Sequence, residues 1–187
     1  MSETSRLLVG AQAGERSALN GLFALHQGRL LAFIRLHQSQ TLRGRLAPED
    51  VLQETLLEAA RKVGEFEPEG PSAFYRWLLG IARFKLSEAE RAQRAFKRSN
   101  ERPLQIDPAH EQTSPSGLAR QGERADRLHV AIGLLPERQA EAVRLRYLQA
   151  LSLAETAERL QCSEAAVKSL VSRGMVAMAG HLDQTAG

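Results

Sequence analysis

An all-α fold is predicted, with two small helical domains, residues 1–98 and 123–187, joined by a flexible linker over residues 99–122. Three observations predict it. Apolar residues recur at helical spacing, while no convincing alternating run of the kind a half-buried strand needs is present, and aromatics make up only 5% of the chain. Helix breakers gather between Ser99 and Gly122, where Pro103, Pro108, Pro115, Gly117 and Gly122 stand among Gln, Ser, Thr and Asp, a composition with no core of its own. A length of 187 residues allows one domain or two small ones, each able to bury a modest core.

The first helix is expected over Glu3 to Ala13, ending at Gly14, and a longer one runs from near Glu15 to His37. The long helix carries Leu19, Leu22, Phe23, Leu30, Phe33 and Ile34 as a broad apolar stripe. Gln38 to Ala47 forms a basic connection. Pro48 then sits where a helix can begin without losing a hydrogen bond, and Glu49 and Asp50 suit the positive end of its dipole. In that helix Leu52, Leu56, Ala59 and Val63 share one face, and Asp50, Glu54, Glu58 and Arg61 another. The breaker-rich loop from Gly64 to Pro71 follows, and Ser72 is read as the cap of a helix with Trp77, Ile81 and Phe84 on one side. The first bundle is expected to pack around Trp77, Phe23 and the Leu52/Leu56 stripe.

Past the linker, Ala125 to Gly133 is read as helical, and Pro136 starts a helix bearing Val143, Leu145, Tyr147 and Leu148. Ser152 and Glu155 have capping-box spacing at the head of a short helix to Leu160. Gln161-Cys162-Ser163 makes a three-residue turn into a long helix from Glu164 to about Leu182, with Ser163 as its cap. Together these form a helix-turn-helix.

A formal charge of +3 and pI near 9.4 do not by themselves point to nucleic acid. Distribution is more telling. From Arg16 to Pro48 the chain carries Arg29, Arg35, Arg43 and Arg45 and no acid, and from Arg83 to Arg102 seven basic residues face three acidic ones. Cys162 is the only cysteine, so no internal disulfide can form; it is read as a small packed residue in a turn. Neither a signal-peptide pattern nor an apolar run of membrane-spanning length occurs, and a cytoplasmic location is expected. His26, His37, His110, His129 and His181 are scattered without ligand spacing, and neither a phosphate-binding Gly-rich loop nor a Gly-x-Ser-x-Gly is present. No enzymatic activity, metal or cofactor is expected.

Glu49-Asp50-Val51-Leu52-Gln53-Glu54-Thr55, followed by Ala73-Phe74-Tyr75-Arg76-Trp77-Leu78 and Ile81-Ala82-Arg83, resembles the second conserved region of bacterial RNA polymerase sigma factors, above all the short extracytoplasmic-function (ECF) group. Leu135-Pro136-Glu137-Arg138-Gln139, Arg146-Tyr147-Leu148, Leu153 to Leu160 and Val167-Lys168-Ser169 resemble the fourth conserved region of the same proteins. The two resemblances stand in the right order across a linker. What they imply is a subunit that binds core RNA polymerase and promoter DNA, with an anti-sigma factor as a further partner. Core contact falls on Asp50, Gln53 and Glu54. The loop from Phe66 to Ser72 is the place where the family captures an extruded base, with Tyr75 as a base contact and Trp77 as core. Arg83, Lys85, Arg91 and Arg94 suit phosphates of the melted strand. Ser163, Glu164, Lys168, Ser169 and Arg173 occupy the start and one face of the recognition helix.

Phe84 stands where the family usually has a polar residue, and Leu170 and Met175 where basic ones are frequent, which weakens the expected phosphate grip of the second domain. Two other readings compete: a sigma mimic that sequesters an anti-sigma factor, and an ordinary helix-turn-helix repressor, which leaves the acidic helix and its loop unexplained. A loose linker also leaves the free domains able to close on each other and hide their DNA surfaces.

Overall fold

The computed structural model of the chain describes residues 2–70, 72–99 and 115–184. All regular structure among them is helical: α1 Glu3–Gln12, α2 Arg16–His37, α3 Gln40–Arg43, α4 Pro48–Lys62, α5 Ala73–Ser99, α6 Pro115–Gly133, α7 Glu137–Val143, α8 Leu153–Leu160 and α9 Glu164–Gln184. A 3-10 turn, Val63–Glu65, follows α4, and a π-helical segment, Arg144–Leu148, follows α7.

The termini of these helices follow from local chemistry. The Ser2 hydroxyl accepts from Ser5 N and caps α1, and Pro48 opens α4 with Glu49 and Asp50 in its first turn. α2 ends because Arg43 reaches back: its guanidinium donates to the Arg35 and Gln38 carbonyls, left without partners at a helix C-terminus. Buried Gln38 donates from Nε2 to the Leu46 carbonyl at 2.6 Å, which pins the connection on either side of α3. The basic connection expected from Gln38 to Ala47 therefore contains a helical turn of its own.

α2 is the central element. α1, α4 and α5 pack around it, and α6 and the π-segment lie against it as well. The core residues with almost no exposure are Leu22, Leu30, Leu31, Phe33, Ile34, Leu52, Tyr75, Leu78 and Leu79. Trp77, Phe23 and Leu56, expected at the centre, are only partly buried at its edge. The reason lies in α5, which has apolar residues on more than one face. The face formed by Tyr75, Leu78, Leu79, Ala82 and Leu86 turns inward, and the face through Trp77, Ile81 and Phe84 lies alongside it, with Phe84 57% exposed.

The linker expected over residues 99–122 falls largely outside the described residues. Its last part, from Pro115, is the opening of α6, so that helix starts ten residues before the expected Ala125. Proline is tolerated in a first turn, and Gly117 and Gly122 lower helix propensity without forbidding the helix. The helix after Pro136 widens at Arg144, where Gln149 N bonds to the Arg144 carbonyl five residues back. α7 and α9 form the second packing unit, with Ala142, Val143, Leu145 and Val167 fully or nearly fully buried.

Candidate nucleic-acid interface

The acidic edge of α4 is the first of three surfaces. Asp50 and Glu54 are exposed and Gln53 is half-buried, so the three do not form the uniformly open face expected. Glu54 lies 3.5 Å from Lys85 of α5, and Glu49 lies 2.6 Å from Arg35 of α2. Farther along, Glu58 pairs with Lys62 at 2.6 Å and with Arg61 at 3.6 Å, and the Lys62 contact lowers its carboxyl pKa.

The second surface is the loop between α4 and α5, and it is held at both ends. At its start, Gln12 of α1 donates from Nε2 to the Phe66 carbonyl at 2.7 Å and the Val63 carbonyl at 3.2 Å. At its far end Arg76 donates to the Glu69 carbonyl at 2.8 Å, and Ala73 N bonds to the Gly70 carbonyl. Gly70 takes φ +78°, a left-handed conformation that glycine adopts without strain. Between these ties Glu67, Pro68, Glu69, Gly70 and Ser72 stand exposed.

Several expectations for this region need correction. Phe66 does not face outward: its ring stacks 4.8 Å from Trp77 and 5.7 Å from Phe74, making it the anchor of the loop. Ser72 has φ 59°, whereas an N-cap needs extended backbone, so it is a turn residue and not the cap of α5. Tyr75, expected to meet a base, is 1% exposed, and its hydroxyl donates to the Leu148 carbonyl at 2.9 Å. Burial raises the Tyr75 pKa well above the ordinary phenol value. Lys85 is half-buried between Glu54 and Glu88, so two carboxylates compete for the charge assigned to a phosphate. Arg83, Arg91 and Arg94 are exposed on α5, and the Arg91 guanidinium lies 6.0 Å from the Phe84 ring centre.

The third surface is the helix-turn-helix. Ser152 and Glu155 form the reciprocal capping box, and those bonds hold the Glu155 carboxyl below its usual pKa. The turn is set by Gln161 in a left-handed conformation (φ 50°), with Cys162 N bonded to the Ala157 carbonyl at 3.0 Å, six residues closing on one. The Ser163 hydroxyl accepts from Ala166 N at 3.2 Å, so it caps α9. Glu164, Lys168, Ser169 and Arg173 are exposed along α9. A cavity of about 330 Å³ opens between α7, the turn and α9, lined by Arg138, Cys162, Ala166, Ser169, Leu170 and Arg173. Leu170 is half-buried there, and Met175 is 40% exposed.

Two residues that sequence reasoning left without a role join the two halves. Arg29 of α2 lies with its guanidinium carbon 3.6 Å from the Tyr75 ring centre and 4.3 Å from that of Tyr147, and its Nε donates to the Tyr147 carbonyl. Burial lowers the Arg29 pKa, a trend the two ring systems oppose. Arg35 binds Glu49 of α4 and Asp126 of α6 at once. The acid-free composition around Arg29 and Arg35 was the one available signal. It does not say which arginine is buried.

These features define a helical protein with an exposed acidic helix edge, a clamped loop leading into a basic helix, and a capped helix-turn-helix. Residues 22–96 match Sigma-70 region 2, and residues 125–178 match Sigma-70, region 4. Among characterised proteins, the ECF RNA polymerase sigma factor BldN of Streptomyces coelicolor is 31% identical over 92% of this chain, which spans 63% of that relative's length. SigX of Bacillus subtilis, another ECF sigma factor, is 30% identical over 72% of the chain and 70% of the relative. Among solved structures, the sigma factor RpoE in complex with the anti-sigma factor NepR from Bartonella quintana is 23% identical over 88% of this chain and 96% of that one, with a TM-score of 0.41. The chain belongs to the ECF group of RNA polymerase sigma factors, whose members act in transcription initiation.

Proposed function

We propose that this chain binds core RNA polymerase through the exposed edge of α4 and directs promoter opening through the α4–α5 loop, with the helix-turn-helix reading a second promoter element. The observation that carries this reading is the loop: Gln12 of α1 and Arg76 of α5 fix its backbone at both ends while its middle stays exposed. Flipping a base out of the duplex costs a few kcal/mol, and only a preformed site can offset that without first ordering itself. Asp50 and Glu54 supply the carboxylates for a basic surface of the polymerase. Arg83 and Arg91 are the exposed cations offered to strand phosphates, joined by Arg94 when it gives up its 3.7 Å pair with Glu90, and Lys168, Ser169 and Arg173 serve the duplex. The proposed domains are residues 1–98 and 123–187, the second preceded by the opening turns of α6 from Pro115. The role is regulatory and non-enzymatic, in the cytoplasm. No described helix is long and apolar enough to cross a membrane. An anti-sigma factor is the further partner that family membership implies.

Run-off transcription with purified core polymerase on a genomic promoter library tests the proposal. Promoter-dependent transcripts are expected from the parent chain, and Asp50→Lys with Glu54→Lys should abolish both transcription and co-purification with core while leaving the helical fold intact. A chain that binds an anti-sigma factor but never supports transcription would be a mimic instead.

A further inference from the structure

Every other Phe, Tyr and Trp of the chain is buried or half-buried, but Phe84 of α5 stands 57% exposed. A single apolar side chain in water is ordinary; the setting of this one is not. Arg76, Gly80, Arg83, Phe84, Ser87 and Arg91 are all exposed and follow one another at helical spacing along one face of α5. The carboxylate next to that face, Glu88, is drawn to Lys85 at 3.4 Å.

A helical side chain leans over the turn that precedes it. One turn before Phe84 stands Gly80, where even a Cβ would meet nothing within 4 Å. Toward the loop, the ring therefore borders bare backbone with room for a flat group. On its other side the Arg91 guanidinium lies 6.0 Å from the ring centre, and Arg91 Nε donates to the Ser87 carbonyl at 3.3 Å. Arg83 is steadied in turn, 5.3 Å from the Phe33 ring centre. Arg76, which closes the loop on the Glu69 carbonyl, precedes Phe84 by about 12 Å of helix. An open ring between cations, a short span from the loop, is what holds a single strand: charges take phosphates and the ring takes a base.

We propose that Phe84 is a stacking platform for a second unpaired base of the opened strand, distinct from the base taken by the loop, with Arg83 and Arg91 on the phosphates beside it. The proposal rests on the sigma-factor reading and adds a site to it. A phenyl ring has neither hydrogen-bond donor nor acceptor, and every base has a π-face, so Phe84 holds whichever base arrives. The promoter is thus gripped at this position without being read there. Selectivity stays with the loop, and the platform supplies strand affinity that the apolar Leu170 and Met175 do not supply in the second half.

Binding of the full chain, assembled with core polymerase, to pre-opened promoter fragments tests this. In one set each unpaired nucleotide in turn is replaced by an abasic one, and in a second set by each of the other three bases. One position outside the loop's base should lose affinity on the order of 10-fold when abasic, as expected for one base–aromatic stack, and change less than about 2-fold when only the base identity changes. Phe84→Ala should erase the abasic penalty at that position alone, and Phe84→Trp should restore it. Because the side chain is exposed, neither change disturbs the core, and co-purification with polymerase should match the parent. The platform is overturned if no position combines abasic sensitivity with tolerance of all four bases, or if the penalty survives Phe84→Ala. Loss of co-purification in Phe84→Ala would make the ring a protein contact instead and overturn it too. Run-off transcription on the same samples separates the two claims. A parent that transcribes without a Phe84-dependent position refutes the platform and leaves the sigma reading standing, whereas a parent that neither binds the opened fragments nor transcribes refutes both.

Discussion

His26 lies against the Phe74 and Tyr75 rings, at 5.5 and 5.8 Å, and its Nε2 is buried without a hydrogen-bond partner among the described residues. Burial, reinforced by the nearby Arg29 charge, lowers its pKa from 6.5 to about 4. Between those values the unfolded chain binds the proton and the folded chain does not. Stability therefore rises with pH through that window, is complete above about 6.5, and is lost as the pH falls toward 4. The slope is at most about 1.4 kcal/mol per pH unit for one proton. Denaturant midpoints measured from pH 4 to 7 should show this slope, and His26→Gln should flatten it. Gly174 is a different case, a position defined by a close approach. A Cβ there would stand 2.8 Å from the Val143 Cγ2 and 3.4 Å from the Leu135 Cδ1, where α9 crosses α7. Gly174→Ala gains up to about 1 kcal/mol of helix propensity and loses about 1–3 kcal/mol to overpacking. A net loss is expected in thermal melts, and Val143→Ala in the same chain should recover part of it.

At the scale of elements, the loop after α4 offers the sharpest prediction. Gln12 belongs to α1, which precedes the matched region 2 segment, yet it holds two carbonyls at the loop's start. Gln12→Ala should lower promoter opening several-fold, measured by permanganate reactivity of unpaired thymines, while core binding stays unchanged. Replacing 66–72 with glycine and serine should abolish opening altogether. That such a loop exists was legible in Gly64, Pro68, Gly70 and Pro71, because breakers constrain the backbone locally. That Gln12 ties it down was not, since contacts 51 and 54 residues apart leave no periodic trace. The capping box at Ser152 and the cap at Ser163 were equally legible because each spans three residues. The inward face of α5 was misread for the opposite reason. Trp77, the only tryptophan, suggested the centre of the core, but several faces of this helix are apolar, and tertiary packing chose the one through Leu78 and Leu79. The π-widening at Arg144 left no sequence signal either, and the carbonyls of Tyr147 and Leu148 within it accept from Arg29 and Tyr75 across the molecule.

The whole molecule joins the buried side chains of its two halves through a contact that makes them one core. Leu52, Leu78 and Leu79 are buried in the first half, and Val143, Leu145 and Val167 in the second. Yet Leu30 and Tyr75 belong to the same continuous cluster as Ala131, Ile132 and Leu148. Coupling of that kind decides how the chain unfolds. While the contact holds, losing either half exposes the Arg29 surface of the other, so the free chain should unfold in one calorimetric transition with matching van't Hoff and calorimetric enthalpies. Arg29→Ala combined with Asp126→Arg should remove the coupling without touching the buried centre of either half, and the single peak should split into two. The less stable peak should belong to the second half, because its core is built from fewer large side chains. Two peaks already in the parent would mean that the contact is too weak to couple the halves. One peak in the double variant would mean that the halves share more of their stability than the Arg29 contact supplies.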